Sequence, residues 1–387
     1  MTHILLFVIY LAFISLGLPD AMLGSAWPSI YGNFDVPVSY AGIISMTISA
    51  GTIISSLQSD RLTRLLGTGK VMAISVGMTA LALFGFSITD SFWMMILWAI
   101  PYGLGAGSVD ASLNNYVALH YESRHMSWLH CMWGLGAATG PYIMGYALTG
   151  GKGWNMGYRY VALLQIVLTA VLIFSLPLWK KRPDSVSDTG EGSKALSIPQ
   201  VLAIPGAKEV LIAFFGYCAL EQTAILWSSS YLVLNRGFSS EAAASFGSMF
   251  LIGITVGRAV SGFITMKLSD TQMIRLGEGI IAVGLLLIFL PFGNTCCVLG
   301  LILVGLGCAP IYPCIIHSTP VHFGAENSQA VIGIQMASAY VGSLAMPAVF
   351  GLIARHVNIA LFPFYILLLL MLMAVMYERL EKISPAK

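Results

Sequence analysis

Apolar residues run along this chain in long unbroken stretches, with neither the alternation of a half-buried strand nor the narrow stripe of a soluble amphipathic helix. Polar residues, Gly and Pro punctuate these stretches at intervals of 20 to 30 positions. A helix needs about 20 residues to cross the hydrocarbon core of a bilayer. Cut at the punctuation, the chain predicts twelve spans: 4–31, 38–59, 70–88, 91–120, 127–149, 157–179, 207–234, 241–266, 272–290, 295–318, 327–354 and 358–377. The longest polar stretch, KKRPDSVSDTGEGSKALSIPQVLAIPG, follows the sixth span. It reads as a linker carrying a short interfacial helix. The predicted organisation is a six-helix bundle over 1–179, a cytoplasmic linker over 180–206 and a second six-helix bundle over 207–387.

Composition makes lipid the only workable solvent. Of 387 residues, 57% are hydrophobic and 9% are charged, against about 25% charged in soluble globular proteins. Glycine, at 40 residues, fits close packing of helices in a bilayer. The net charge of +2 and the lack of a basic stripe predict no nucleic-acid partner. The six cysteines lie in apolar runs without metal-ligand spacing, so no metal site and no cofactor are expected. The N-terminus lacks a basic n-region and a cleavage site, so the first helix is expected to be retained.

Basic residues fall unevenly. Arg61, Arg64, Lys70, Arg124, the linker cations, Lys208, Lys267, Arg275, Arg379, Lys382 and Lys387 collect on one side; Lys152, Arg159, Arg236 and Arg355 lie on the other. The positive-inside rule then places both termini and the linker in the cytoplasm.

The halves also resemble each other. Trp27 and Tyr31 repeat as Trp227 and Tyr231; Gly103-Leu104-Gly105 repeats as Gly305-Leu306-Gly307; Gly136, Pro141 and Gly145 repeat as Gly342, Pro347 and Gly351. The offsets are 200, 202 and 206, in chain order. A parallel repeat of six spans points to a two-bundle transporter related by pseudo-two-fold symmetry.

An ionisable group at membrane depth costs several kcal/mol and marks a candidate site. Asp20, after Gly17 and Pro19 in the first span, and Asp110, in the fourth, are the proton-coupling candidates and also candidate substrate ligands. Asn114 shares a helical face with Asp110, and Asn115 adjoins it. Glu221 and Gln222 with Trp227 and Tyr231 combine an acid, an amide and aromatic faces, which suits a polyhydroxylated ligand. His130 and Trp133 in the fifth span join the substrate-binding candidates. So do Tyr312 and His317, which stand in the tenth span where Asp110 and Asn115 stand in the fourth. Gln165 and Gln335 rank below them, and Glu278 sits nearer a span end. Gating is assigned to Asp60, Arg61 and Arg64, in the loop after the second span, and to Arg258. Snorkelling to the interface is the alternative for Arg258; packing or interfacial placement is the alternative for Trp227 and Tyr231.

These residues carry a family resemblance. SDRLTRLLGTGK resembles the glycine–aspartate–arginine loop of the major facilitator superfamily, with Ser59 in the glycine's neighbourhood. GLPDAMLGSAWPSI and GLGAGSVDASLNNYVA resemble the first and fourth helices of its fucose permease group, with Asp20, Asp110 and Asn114 in the matching places. His130 and Trp133 stand where that group offers glutamine and asparagine to sugar. The resemblance implies an all-α membrane protein of twelve helices and proton-coupled uptake of a sugar or related polyol by alternating access. The expected partners are that small molecule, H⁺ or Na⁺ in its place, and the lipid bilayer, with a monomeric chain in the inner (plasma) membrane. A drug:proton antiporter of the same fold and a membrane sensor remain alternatives. An enzyme is not expected, since no nucleophile–base pair or phosphate loop occurs at recognisable spacing.

Overall fold

The computed structural model describes residues 2–179, 195–290 and 293–385. Linker positions 180–194, with the cations Lys180, Lys181, Arg182 and Lys194, lie outside the described residues, as does Lys387. The described chain is helical, with no strand among its residues. In order the helices are α1 (Thr2–Gly17), α2 (Met22–Asn33), α3 (Ala41–Leu66), α4 (Thr68–Ile88), α5 (Phe92–His120), α6 (Ser123–Thr149), α7 (Gly153–Trp179), α8 (Ile198–Leu202), α9 (Ala207–Arg236), α10 (Ser240–Ile264), α11 (Asp270–Phe289), α12 (Asn294–Phe323), α13 (Ala325–His356) and α14 (Phe362–Ile383).

Ten stretches among the described residues are long and apolar enough to cross a membrane, with Ile4–Asn33 counted as one. The other two long helices, α6 and α10, complete the twelve expected elements. Large apolar side chains such as Phe7, Trp93 and Phe174 face outward, Phe174 with 83% of its surface exposed. Water would disfavour that surface, and lipid accepts it. The chain is an all-α, multi-pass membrane protein.

Two elements depart from the sequence expectation. The first span is two helices, because Pro19 lacks an N–H and the backbone turns at 18–21 through Asp20 N–H to Gly17 O (3.1 Å) and Met22 N–H to Pro19 O (3.1 Å). The segment read as a loop after the second span is helix instead. α3 continues to Leu66, so Asp60, Arg61 and Arg64 occupy its last two turns. An Asp60–Arg64 pair one turn apart supports this extension. Gly67 ends the helix at φ 77°, a conformation that costs a residue with a Cβ. The linker's end forms the short helix α8, opened by Pro199 and by Ser197 N–H donating to Gln200 Oε1 (2.8 Å).

The chain forms two compact units. One comprises Met1–Tyr116 with Leu129–Leu196; the other comprises Val117–Trp128 with Ser197–Lys387. The glycine repeat has a packing counterpart within each. A Cβ on Gly103 would strike the Ile48 carbonyl of α3, and one on Gly305 the Phe250 carbonyl of α10. Likewise Gly105 meets Ser75 O of α4, and Gly307 meets Gly277 O of α11. Gly136 meets Ile14 O of α1, and Gly342 meets Phe215 O of α9. The same three helix pairs in each half therefore touch backbone to backbone at matching positions. Small residues at such seams let helices approach where no hydrophobic force drives them together.

Candidate functional site

In the first unit the break after α1 delivers Asp20 to the side of α6. Gly17, Gly136 and Gly140 bring the two backbones together; a Cβ on Gly140 would overlap the Leu18 carbonyl. Trp133 consequently reaches Asp20, and its Nε1–H donates to Oδ2 at 2.8 Å. The Tyr102 hydroxyl of α5 donates to Oδ1 at 3.4 Å. Asp20 is exposed although Leu18 and Met22 beside it are buried. The carboxylate is thus held by neutral donors and still open to a ligand.

Helices α5 and α6 also carry a buried polar chain. Asp110 is 6% exposed, His130 5% and Asn114 fully buried. Asn114 Nδ2 donates to Asp110 Oδ1 (2.8 Å), and His130 Nε2 lies 3.1 Å from Asn114 Oδ1. Since the Asn114 amide nitrogen is committed to the acid, its oxygen accepts, and His130 Nε2 carries the hydrogen. Phe13 of α1 stands edge-on to the His130 ring, centroids 5.4 Å apart. His130 and Trp133 are three apart on α6 and share a face. One helix therefore serves both acids, Trp133 at Asp20 and His130 on the Asp110 chain. Asn115 is also buried. Gln165 donates to the Ser15 carbonyl (2.8 Å) and accepts from Thr79 (2.8 Å), tying α7 to α1 and α4.

The gating candidates divide. Asp60 is buried, accepts from Arg64 Nε at 2.8 Å and receives the Leu196 N–H at 3.3 Å, so it pins the end of the linker to α3. Arg61 is exposed. Arg258, in the second unit, is 3% exposed, which removes the snorkelling alternative. Its Nη2 donates to Glu221 Oε1 at 3.1 Å, joining α10 to α9. The sequence placed these two residues in different roles, and the structure makes them one buried ion pair. The Tyr217 phenol, one turn before Glu221, lies beside the guanidinium and donates to Cys308 O at 3.0 Å.

The remaining candidates of this unit scatter. Gln222 is half-buried. Trp227 donates to Pro347 O (2.9 Å) and meets Phe350 edge-on (5.5 Å). Tyr231 is buried, accepts from Arg236 Nε (3.1 Å) and packs on Phe362 (5.1 Å). Both aromatic rings are thereby engaged in packing. Tyr312 contacts the Met336 sulfur (3.3 Å) and the Phe214 ring (4.7 Å). His317 joins a separate cluster at the start of α11. Its Nδ1 lies 2.6 Å from Asp270 Oδ2 and its Nε2 3.0 Å from Tyr121 O, while Ser123 Oγ donates to the other Asp270 oxygen. Two acceptors facing one ring satisfy an imidazolium, which has two N–H donors. Gln335 accepts from Thr319 at 3.0 Å. Glu278 is half-buried on α11.

Tyr102, Tyr217 and Asp270 were not singled out from sequence. Tyr217 precedes Glu221 by four positions, a signal open to reading; nothing local ties Tyr102 to Asp20, 82 positions away.

A family model for the Major Facilitator Superfamily matches residues 9–323. Among curated relatives, "Bypass of stop codon protein 6" of Saccharomyces cerevisiae is 24% identical over 288 residues, 67% of this chain and 56% of that protein, so the match spans about half of its length. The glucose/mannose transporter GlcP of Bacillus subtilis is 22% identical over 316 residues, 79% of this chain and 77% of that one. The solved structure of the Escherichia coli fucose:proton symporter superposes with a TM-score of 0.79 at 15% identity, covering 98% of each chain.

Proposed function

Because the chain belongs to the Major Facilitator Superfamily, we propose that it carries a sugar or related polyol across the membrane with a proton, by alternating access. The observation that carries this reading is the acid pair of the first unit, one open and one buried. Asp20 is open and oriented by an indole N–H, while Asp110 is buried and bonded to the Asn114 amide, which leads on to His130. An accessible carboxylate with a donor beside it can bond sugar hydroxyls, and the Trp133 ring offers an apolar face to C–H groups. A buried carboxylate bonded to an amide can take or lose a proton, and taking it removes the cost of moving a bare charge through a dry passage. Asp110 is thus the coupling group, with Asp20 sharing substrate binding and titration. The names of the relative from Bacillus subtilis and of the fucose:proton symporter support the substrate class. The bias of basic residues supports a plasma-membrane chain with both termini in the cytoplasm.

The test is uptake of a panel of radiolabelled sugars into proteoliposomes, with and without an inward proton gradient. Accumulation of one sugar only with the gradient is expected. Asp110→Asn should reduce that accumulation on the order of tenfold or more, about 1.4 kcal/mol of lost driving, while exchange of labelled for unlabelled sugar continues. Sodium-driven accumulation would move the coupling ion, and proton-driven efflux of a lipophilic cation without sugar uptake would overturn the substrate class.

A further inference from the structure

The outer face of α6 and α7 carries a groove of about 580 Å³, walled by Tyr142 and Tyr146 of α6 and by Tyr160, Leu163, Leu164 and Val167 of α7. The α6 pair is four apart; the α7 residues follow at three, four and seven positions from Tyr160, so each set lines one helix face. Most of this lining is exposed, Tyr142 with 79% of its surface and Val167 with 64%. The α7 stretch is among those long and apolar enough to cross the membrane, so the groove faces acyl chains. From Tyr160 to Val167 it runs roughly 10 Å along the helix.

Its mouth carries a fixed cation. Lys152, in the short connection between the two helices, donates from Nζ to the Tyr160 hydroxyl at 3.1 Å. The same ammonium stands 5.8 Å from the centroids of both Tyr146 and Tyr160, whose rings lie 6.4 Å apart. The hydrogen bond to Tyr160 pushes the Lys152 ammonium above the ordinary lysine value. Among the described residues no carboxylate pairs with Lys152, whereas Arg64, Arg124, Arg258 and Arg275 each have one. An ammonium tethered at one end of a groove lined by aromatic and aliphatic side chains, with further N–H donors left over, has the charge and shape to receive an anionic head group.

We propose that the α6–α7 groove is a binding site for an anionic phospholipid, with an acyl chain along the tyrosine-lined wall and the phosphate on Lys152. After five spans this connection lies on the membrane face opposite the N-terminus, which sets the leaflet. The site lies on the lipid-facing surface and is independent of the transported substrate.

Native mass spectrometry of the purified full chain, released from mixed phosphatidylglycerol and phosphatidylcholine micelles, tests it. The unaltered protein should retain phosphatidylglycerol in preference. Lys152→Gln should weaken that preference about fivefold, the effect of one interfacial cation. Tyr160→Phe, which removes only the tether, should weaken it less. Arg355→Gln, an exposed cation on the same face, should leave it unchanged. Equal losses for Lys152→Gln and Arg355→Gln would mean general attraction of anionic lipid and would overturn the site. So would an unchanged preference in both Lys152 and Tyr160 variants, or recovery of a dimer that buries the groove.

Discussion

The two units hold their membrane-depth charges in opposite ways. In the first, Asp20 is met by an indole and a phenol, and Asp110 by an amide that leads to His130. In the second, Glu221 is met by the guanidinium of Arg258, and both are buried. A carboxylate held by an indole and a phenol, as Asp20 is, can change charge without stranding a partner. A carboxylate in a buried ion pair cannot, because protonating it leaves an uncompensated cation. Under the proposed function proton exchange falls to the first unit, while the pair in the second fastens α9 to α10.

Breaking the ion pair should give the largest effect. Glu221→Gln is expected to destabilise by about 3–5 kcal/mol, the cost of leaving a buried charge alone. The double replacement Glu221→Leu with Arg258→Met should recover most of that loss. Asp110→Asn should leave stability within about 1 kcal/mol, because Asn keeps an oxygen for the Asn114 amide. Thermal unfolding monitored by size-exclusion of the solubilised protein compares the three. If Glu221→Gln is no worse than Asp110→Asn, the distinction between the units falls.

Next comes the donor that orients Asp20. Trp133→Phe keeps a ring and removes the N–H, which is worth about 1.5–3 kcal/mol on a charged acceptor. Apparent affinity for the sugar of the proposed function should fall by about tenfold or more, with the melting temperature nearly unchanged because Trp133 is only half-buried. A drop in stability with intact affinity would make the bond structural.

A subtler contrast concerns what the units share. Gly103→Ala and Gly305→Ala each drive a Cβ into a facing carbonyl, on Ile48 and Phe250, and each should cost about 1–3 kcal/mol. Gly145→Ala meets nothing within 4 Å and should be neutral or slightly stabilising. Melting temperatures of the three variants check this, and unequal losses for the repeated pair would show that one seam relaxes.

Those seams explain what the sequence made legible. Gly103, Gly105 and Gly136 repeat as Gly305, Gly307 and Gly342 because backbone contact tolerates nothing larger, and acids stand out in apolar runs because lipid tolerates them only for a reason. Asp20, Asp110 and Asn114 therefore stand out as candidates in the sequence, and the twelve elements are legible in it. Partnerships across helices could not. Glu221 and Arg258 are 37 positions apart, and no local pattern encodes which faces of α9 and α10 meet. The end of α3 was misjudged for a related reason. Three charged residues read as a loop, yet an i,i+4 ion pair and a buried Asp60 keep them helical. His317 looked like a counterpart of Asn115, but Asp270 and the Tyr121 carbonyl claim its ring.

The smallest expected effect decides whether the repeat of Trp27 and Trp227 concerns ligand or packing. A stacking platform needs a free ring face, and Trp227 has spent its N–H on Pro347 O and set its ring against Phe350. Its indole edge also closes on Gly351 of α13. Trp227→Phe should cost about 0.5–1.5 kcal/mol, one neutral hydrogen bond, read as a small fall in melting temperature. Sugar affinity should stay within twofold in the same preparation, against the large loss expected for Trp133→Phe. Loss of affinity at unchanged stability would return Trp227 to the substrate and give the second unit a share of recognition; its absence leaves binding with Asp20 and Trp133, where the open carboxylate is.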